Sequence, residues 1–187
     1  MTYAIRPLQF EELASFFHYL NQHLLDNGRD GAPLFQPMPR NSPGFPPEKA
    51  ASFSTGLRAE LGQQGWRRIW VAQQEGEIIG HIDLRSRPEP AAAHRCLLGM
   101  GVQRVARRSG LGSLLLETAI DWARATGLEW VDLEVLSGNT PARALYRKRG
   151  FVQTGEIPDL FRIDGESLGY VFMSLQLSAG ADKMGNS

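Results

Sequence analysis

Leu13, Phe16, Phe17, Leu20 and Leu24 recur at the i, i+3, i+4, i+7 and i+11 spacing of a helix with one buried stripe. Glu11 and Glu12 fall in its first turn, where the helix dipole favours carboxylates. A short strand is expected before it at 2–8, and a second helix over 47–64. Two strand-like runs, 68–74 and 77–85, flank Glu75-Gly76, which reads as a β-hairpin. A strand at about 95–103 leads into a helix marked by Leu111, Leu114, Leu115, Ala119, Trp122 and Ala123 and stopped at Gly127. Residues 130–135 alternate as a strand. Asn139 then reads as the N-cap of a helix that tolerates Pro141 in its first turn and ends at Gly150. Strands at about 151–157 and 167–177, with Asp164-Gly165 a turn signal between them, complete the order β α α β β β α β α β β. Strand–helix alternation in the middle and hairpins at the ends predict an α/β fold of mixed type. Its core is a mixed, twisted sheet of six to seven strands with about four helices on both faces.

One stretch has no period. Residues 27–47 hold six of the eleven prolines and show neither helical nor alternating spacing. A loop of that length in a compact domain is a binding element or a disordered segment. Phe35, Met38 and Phe45 give it apolar side chains to dock with, which favours the wall of a site; a protein-partner surface is the other use open to it.

The 187 residues suit one domain, expected over 1–177, with a frayed, disordered tail at 178–187. Lys+Arg 20 balance Asp+Glu 20, which argues against a nucleic-acid or anionic-membrane surface. No apolar run approaches the roughly 18–20 residues of a membrane span, and the N-terminus lacks the basic-then-apolar order of a signal peptide. The one cysteine, Cys96, cannot form an internal disulfide and fits a reducing compartment. A cytoplasmic protein is expected.

Residues 98–113, LGMGVQRVARRSGLGS, set a strand, an Arg/Gly/Ser turn and a helix start in succession. Unpaired N–H groups and the helix dipole make such a helix start a site for phosphate. Gly110 and Gly112 let a ligand approach the backbone, and Arg107 and Arg108 carry charge suited to phosphate oxygens. A Walker loop is excluded for want of its lysine. A G-x-G-x-x-G fingerprint fails too, meeting Arg104 when started at Gly99 and Leu115 when started at Gly110.

Arg107-Arg108-Ser109-Gly110-Leu111-Gly112 does match Q/R-x-x-G-x-G/A, the acyl-CoA pyrophosphate loop of the GNAT superfamily of N-acyltransferases. A second signature of that family, N-x-x-A-x-x-L-Y-x-K-x-G-F, is matched by Asn139, Ala142, Leu145, Tyr146, Lys148, Gly150 and Phe151. Over about 95–155 the chain thus resembles bacterial GNAT acetyltransferases. The resemblance implies a GNAT-like fold and acetyl-CoA as co-substrate, with no metal. It implies a β-bulge in the 95–103 strand, for which Gly99 and Gly101 are the candidates, and a wedge beside it for pantetheine. Met100, Gly101 and Val102 would bind pantetheine through main-chain groups, one N–H polarising the thioester carbonyl. Arg108, Ser109, Gly110, Leu111, Gly112 and Ser113 would cradle the pyrophosphate with Arg107 beside them, and Asn139 would bond the pantetheine arm.

Transfer to an amine needs a proton acceptor, because an ammonium with a pKa near 10.4 is no nucleophile. Glu134 is the first candidate base and Tyr146 the candidate acid, a pair whose spacing resembles that of bacterial ribosomal-protein alanine N-acetyltransferases. Asp132 shares the face of Glu134 and is the second candidate base. Core packing remains open for Tyr146, and a solvated strand position for Glu134. His18, His23, His81 and His94 read as structural or surface residues, and Cys96 and the four tryptophans as core. The last strand reads Ser167-Leu168-Gly169-Tyr170, without the acidic residue usual in the ribosomal-protein enzymes. The function implied is acetyl transfer to a primary amine of a small molecule or a peptide or protein, with a homodimer possible. The alternative is a non-catalytic acyl-CoA-binding module.

Overall fold

The computed structural model describes residues 3–42 and 44–177. Its elements are β1 (Ala4–Pro7), α1 (Leu13–Leu24), α2 (Pro47–Arg58), β2 (Arg67–Gln74), β3 (Glu77–Ser86), β4 (Arg95–Val102), α3 (Leu111–Ala125), β5 (Trp130–Leu136), α4 (Thr140–Lys148), β6 (Val152–Ile163) and β7 (Glu166–Gln176). The strands form one sheet in the order β1-β2-β3-β4-β5-β7-β6, antiparallel throughout except where β4 lies parallel to β5. The tail at 178–187 lies outside the described residues.

Two elements differ from expectation. The second helix stops at Arg58 rather than 64, because Ala59 turns extended and Gly62 and Gly65 take left-handed φ values of 93° and 87°. β6 runs on past 157 to Ile163. Its register shifts between Ile157 and Phe161, around Pro158, which has no N–H to donate, and Asp159 at φ 48°. Both hairpins turn as expected on an acidic residue and glycine: Glu75-Gly76 at φ 53° and 88°, Asp164-Gly165 at φ 50° and 81°.

Alternation along the strands divides the buried side chains between two layers. Ile82, Leu84, Leu98, Val131, Leu133 and Met173 pack with Leu111, Leu115, Leu116 and Ala119 of α3 and Tyr146 of α4. On the other face Ile69 and Val71 receive Leu13, Phe16 and Leu20 of α1 and Phe53 of α2. The stripe of α1 is broader than its apolar spacing implies, since Tyr19 and His23 are buried as well.

Those two residues sit against the middle of the sheet. The Tyr19 hydroxyl donates to the Gly101 carbonyl at 3.1 Å and lies 3.0 Å from His81 Nδ1. With its single proton given to the carbonyl, the phenol accepts, so His81 donates from Nδ1. His23 stacks on Phe35 at 4.5 Å, and its Nδ1 is buried without a partner among the described residues. Burial is the main cause of two depressed pKa values, about 3 for His23 and about 4 for His81. Nearby positive charge adds to the depression at both, and Asp83 partly offsets it at His81.

The proline-rich stretch is a packed strap. Buried Asn27 organises it: its Oδ1 accepts from the N–H groups of Phe35 and Gln36 at 2.8 and 3.0 Å. Its Nδ2 donates to the carbonyls of Gln36 and Met38, both at 3.2 Å. Leu34 buries against Leu136 and Ile163, Phe45 stacks on Phe17 at 5.7 Å, and Arg40 pairs with Asp164 and Glu166 on the β6–β7 hairpin. Asp164 is therefore more than a turn residue.

Asn27→Ala leaves two half-buried backbone donors and two carbonyls without their partner and should cost roughly 2–4 kcal/mol in urea unfolding, with faster proteolytic nicking within 28–46. The two buried imidazoles make a second expectation. Unfolded, each binds a proton near pH 6.5; folded, each does so only well below that. Their contribution is therefore complete above about pH 6.5 and is lost as pH falls, at about 1.4 kcal/mol per pH unit for each imidazole. Stability measured at pH 6.5 and 5.0 should fall by a few kcal/mol, on the order of 2 per imidazole. His23→Phe should remove roughly half of that slope, and an unchanged slope would contradict the assignment.

Candidate active site

β4 and β5 share only three ladder pairs, Arg95↔Trp130, Cys96↔Val131 and Leu97↔Asp132. Beyond them the strands part, β4 held on its other side by β3 and β5 by β7. The bond from Gln103 N to Ile79 O, 2.9 Å, sets the phase of the β3–β4 ladder. Opposite residues alternate between bonded and non-bonded pairs. Gly101 and Gly99 therefore turn their main-chain groups to β3, while Met100 and Val102 turn theirs into the fork, joined there by the Leu98 carbonyl, whose N–H belongs to the last β4–β5 pair. Of the three residues expected to present main-chain groups to pantetheine, Met100 and Val102 face the gap and Gly101 does not.

The expected bulge is also missing, since the register is unbroken from Gly80↔Val102 to Ser86↔Cys96. The two glycines have another reason to be there. A Cβ on Gly99 would lie 2.5 Å from Asp83 Oδ1, and one on Gly101 2.6 Å from His23 Nε2. Both keep room for buried polar side chains packed on the α1 face.

At the open end of the fork a 3-10 turn, Arg104–Ala106, leads to the start of α3. Arg107 Nε donates to Val102 O at 3.1 Å and Ser109 Oγ to Ala106 O at 2.7 Å, while Arg108 and Gly110 adopt φ values of 61° and 86°. The N–H groups of residues 108–112 have no backbone acceptor among the described residues. Space around Gly110 is open, whereas a Cβ on Gly112 would meet Leu145 at 3.1 Å. Gly110 thus admits a ligand and Gly112 admits α4. Ser113 gives its N–H to Gly110 O at 3.0 Å, which leaves its hydroxyl for a ligand, and Leu111 is buried as the anchor of the helix start. This nest of unpaired donors beneath two arginines fits a pyrophosphate.

Tyr146 and Glu134 stand on opposite faces of the sheet. Tyr146 is buried in the α3 and α4 layer beside Phe151, its hydroxyl without a hydrogen bond among the described residues. Burial pushes its pKa up to about 12. Glu134 is exposed on the other face. There it lines a cavity of about 610 Å³ at the base of the fork, together with Arg87, Arg95, Asp132, Phe172 and Ser174. Tyr170, absent from the sequence reading of the site, has a pKa pushed up to about 12 by burial and then by the charge of Glu134 and a hydrogen bond to it. Asp132 is committed elsewhere. It accepts from Arg95 at 2.8 and 2.5 Å, Arg87 at 3.1 Å and Ser174 at 2.7 Å. Burial tends to raise its pKa, and these partners outweigh that and lower it. Asn139 caps α4 through Oδ1, accepting from Ala142 N at 3.4 Å, and its amide nitrogen has no partner among the described residues.

Sequence reasoning also missed Asp83 and Arg85. They alternate on β3 without a motif, and only the register opposite Gly99 and Leu97 brings them beside β4. Among the described residues no group of three or more His, Cys, Asp and Glu could hold a metal, and no helix is long and apolar enough to cross a membrane.

The chain resembles known proteins in sequence and in fold. An acetyltransferase (GNAT) family model matches residues 38–151. An L-methionine sulfoximine/L-methionine sulfone acetyltransferase of Pseudomonas aeruginosa is 30% identical over 116 residues, which are 62% of this chain and 67% of that enzyme. A mycothiol acetyltransferase of Clavibacter michiganensis is 46% identical over 77 residues, 41% of this chain but only 24% of that protein. Among solved structures, a GNAT acetyltransferase of Streptococcus pneumoniae superposes with TM-score 0.78 at 24% identity, covering 94% of this chain and 99% of that one. A phosphinothricin acetyltransferase of Sinorhizobium meliloti in complex with AcCoA gives TM-score 0.77 at 22% identity, covering 100% and 95%. With its fork, its unpaired helix start and a family match across well over half its length, this chain belongs to the GNAT family of acetyltransferases.

Proposed function

We propose that the chain, as one domain over 1–177, transfers the acetyl group of acetyl-CoA directly to a primary amine of a small molecule or peptide. The observation that carries this reading is the fork itself. Main-chain groups of Met100 and Val102 and the Leu98 carbonyl line one edge, and the unpaired N–H groups of 108–112 stand at its mouth. Bound there, acetyl-CoA supplies an activated carbonyl. The N–H of Met100 or Val102 donates to that carbonyl oxygen, and the Asn139 amide donates to the arm. Acetyl-CoA in the crystallised phosphinothricin enzyme supports the same donor here, and the two curated relatives, named for small acceptors, support a small one.

The two faces of the sheet divide the proton work. Glu134, open to the cavity, takes a proton from the acceptor ammonium. Tyr146, on the opposite face, serves the departing sulfur. A phenol with a pKa of about 12 stays protonated at working pH and holds its proton more tightly than a thiol near 8.5. Its part is therefore to donate a hydrogen bond rather than to surrender a proton.

Calorimetry with acetyl-CoA tests the donor site. Micromolar binding should weaken at least tenfold in Arg108→Glu, which places a carboxylate at the exposed turn and leaves the Gly112–Leu145 contact intact. A folded wild type that binds no acetyl-CoA overturns the reading. Tyr146→Phe should lower kcat by about 10–100-fold with little change in acetyl-CoA affinity, measured by thiol release; an unaltered kcat removes its role.

A further inference from the structure

Beside the fork, on the face turned away from α3, two buried carboxylates each serve two guanidinium groups. Asp83 Oδ2 takes Arg67 at 3.0 Å and Arg85 at 3.3 Å. Asp132 takes Arg95 through two bonds and Arg87 through one. Within each pair one arginine is also held over an aromatic ring. Arg67 lies 3.8 Å over the Phe53 ring, and Arg95 lies 4.5 Å over Trp130. The other is not. Arg85 and Arg87 each make one hydrogen bond, and the rest of their N–H groups have no acceptor among the described residues. Their side chains remain 34% and 29% exposed.

Opposite them stands an open carboxylate. Glu134 faces the same cavity as Arg87, and Arg85 stands on β3 directly opposite Leu97 of its lining. Glu89, on the loop after Arg87, is exposed and adds a second acid to the lining. Leu97, Phe172 and Met173 give the cavity an apolar wall. Free guanidinium donors, an exposed carboxylate and an apolar wall suit a ligand with charges of both signs and a side chain.

We propose that this cavity is the acceptor site for a free α-amino acid, its carboxylate held by Arg87 and Arg85 and its ammonium by Glu134. The assignment rests on the acetyl-transfer reading above and narrows the acceptor within it. The transfer forms the amide C–N bond and breaks the thioester C–S bond. Of the two protons the ammonium loses, one ends on the released thiol and the other passes through Glu134 to solvent. A peptide N-terminus or a simple amine lacks the carboxylate one carbon away and leaves the two arginines without their partner.

The test compares a panel of free L-amino acids with the matching L-amino acid amides, following thiol release from acetyl-CoA. The preferred acid should exceed its amide at least tenfold in kcat/KM. In Arg87→Gln that ratio should fall toward one, while Asp132 keeps Arg95 and Ser174 and the thermal midpoint stays put. Equal rates for acids and amides, a ratio unmoved in Arg87→Gln, or no amino acid consumed while calorimetry shows acetyl-CoA bound each overturn the subsite and leave the donor reading standing. If acetyl-CoA does not bind, the donor reading fails first, and saturation-transfer NMR with the free amino acids judges the cavity alone. Signals lost in Arg87→Gln support the subsite; their absence from wild type overturns it.

Discussion

Backbone N–H and C=O groups inside a sheet need partners, and β4 and β5 give each other only three pairs before they part. The candidate site is arranged around that shortfall. β3 secures the far side of β4 without a break in register, and β7 does the same for β5 along its whole length. The two strands are thus rigid on their outer edges and, past their three shared pairs, unpaired with each other on their inner ones, where Arg107 takes the Val102 carbonyl. A ligand with an extended, amide-bearing arm can complete the ladder that the protein leaves incomplete. The helix start at α3 repeats the principle at the mouth, where N–H groups without intrahelical acceptors wait for an anion.

Holding such a fork open requires its surroundings to be stiff. On one face, α3 and α4 close on each other through Gly112 and Leu145 and bury Tyr146. On the other, α1 plants Tyr19 and His23 against Gly101, and the strap ties the end of β5 to the β6–β7 hairpin through Leu34 and Arg40. The glycines of β4 follow from this. Their missing Cβ atoms make room for Asp83 and His23, so the backbone that borders the fork is also the floor of a buried polar layer. The imidazoles in that layer stay neutral because burial penalises their charged form more than their neighbours can recover.

Local pattern made much of this legible. The α1 stripe, both Asp/Glu-Gly turns, the helix start at Gly110 and the Asn139 cap depend on residues within a few positions of each other, and the structure has them where the spacing puts them. The departures are where distant contacts decide. α2 ends early at a run rich in turn residues, and β6 outlasts its pattern because β7 offers a ladder to rejoin after Pro158 and Asp159. Gly99 and Gly101 resembled bulge residues because glycine inside a strand has two uses, a bulge or a close approach, and only the packed neighbours tell them apart. His23 and His81 carried no spacing signal, being brought together by α1 crossing β3.

The sequence by itself determined the family, the order of the elements, the glycine-bearing helix start and the presence of Glu134 and Tyr146, because each is written in contiguous residues. Tertiary structure alone decided that these two lie on opposite faces of the sheet, and that Asp132 is consumed by Arg87, Arg95 and Ser174 while Glu134 stays open. It also decided that Met100 and Val102 rather than Gly101 look into the fork. The physical reason is the same in each case. A side chain's type is local, but its partners, its burial and the direction of its backbone hydrogen bonds are set by the strand register and by chains that arrive from far along the sequence.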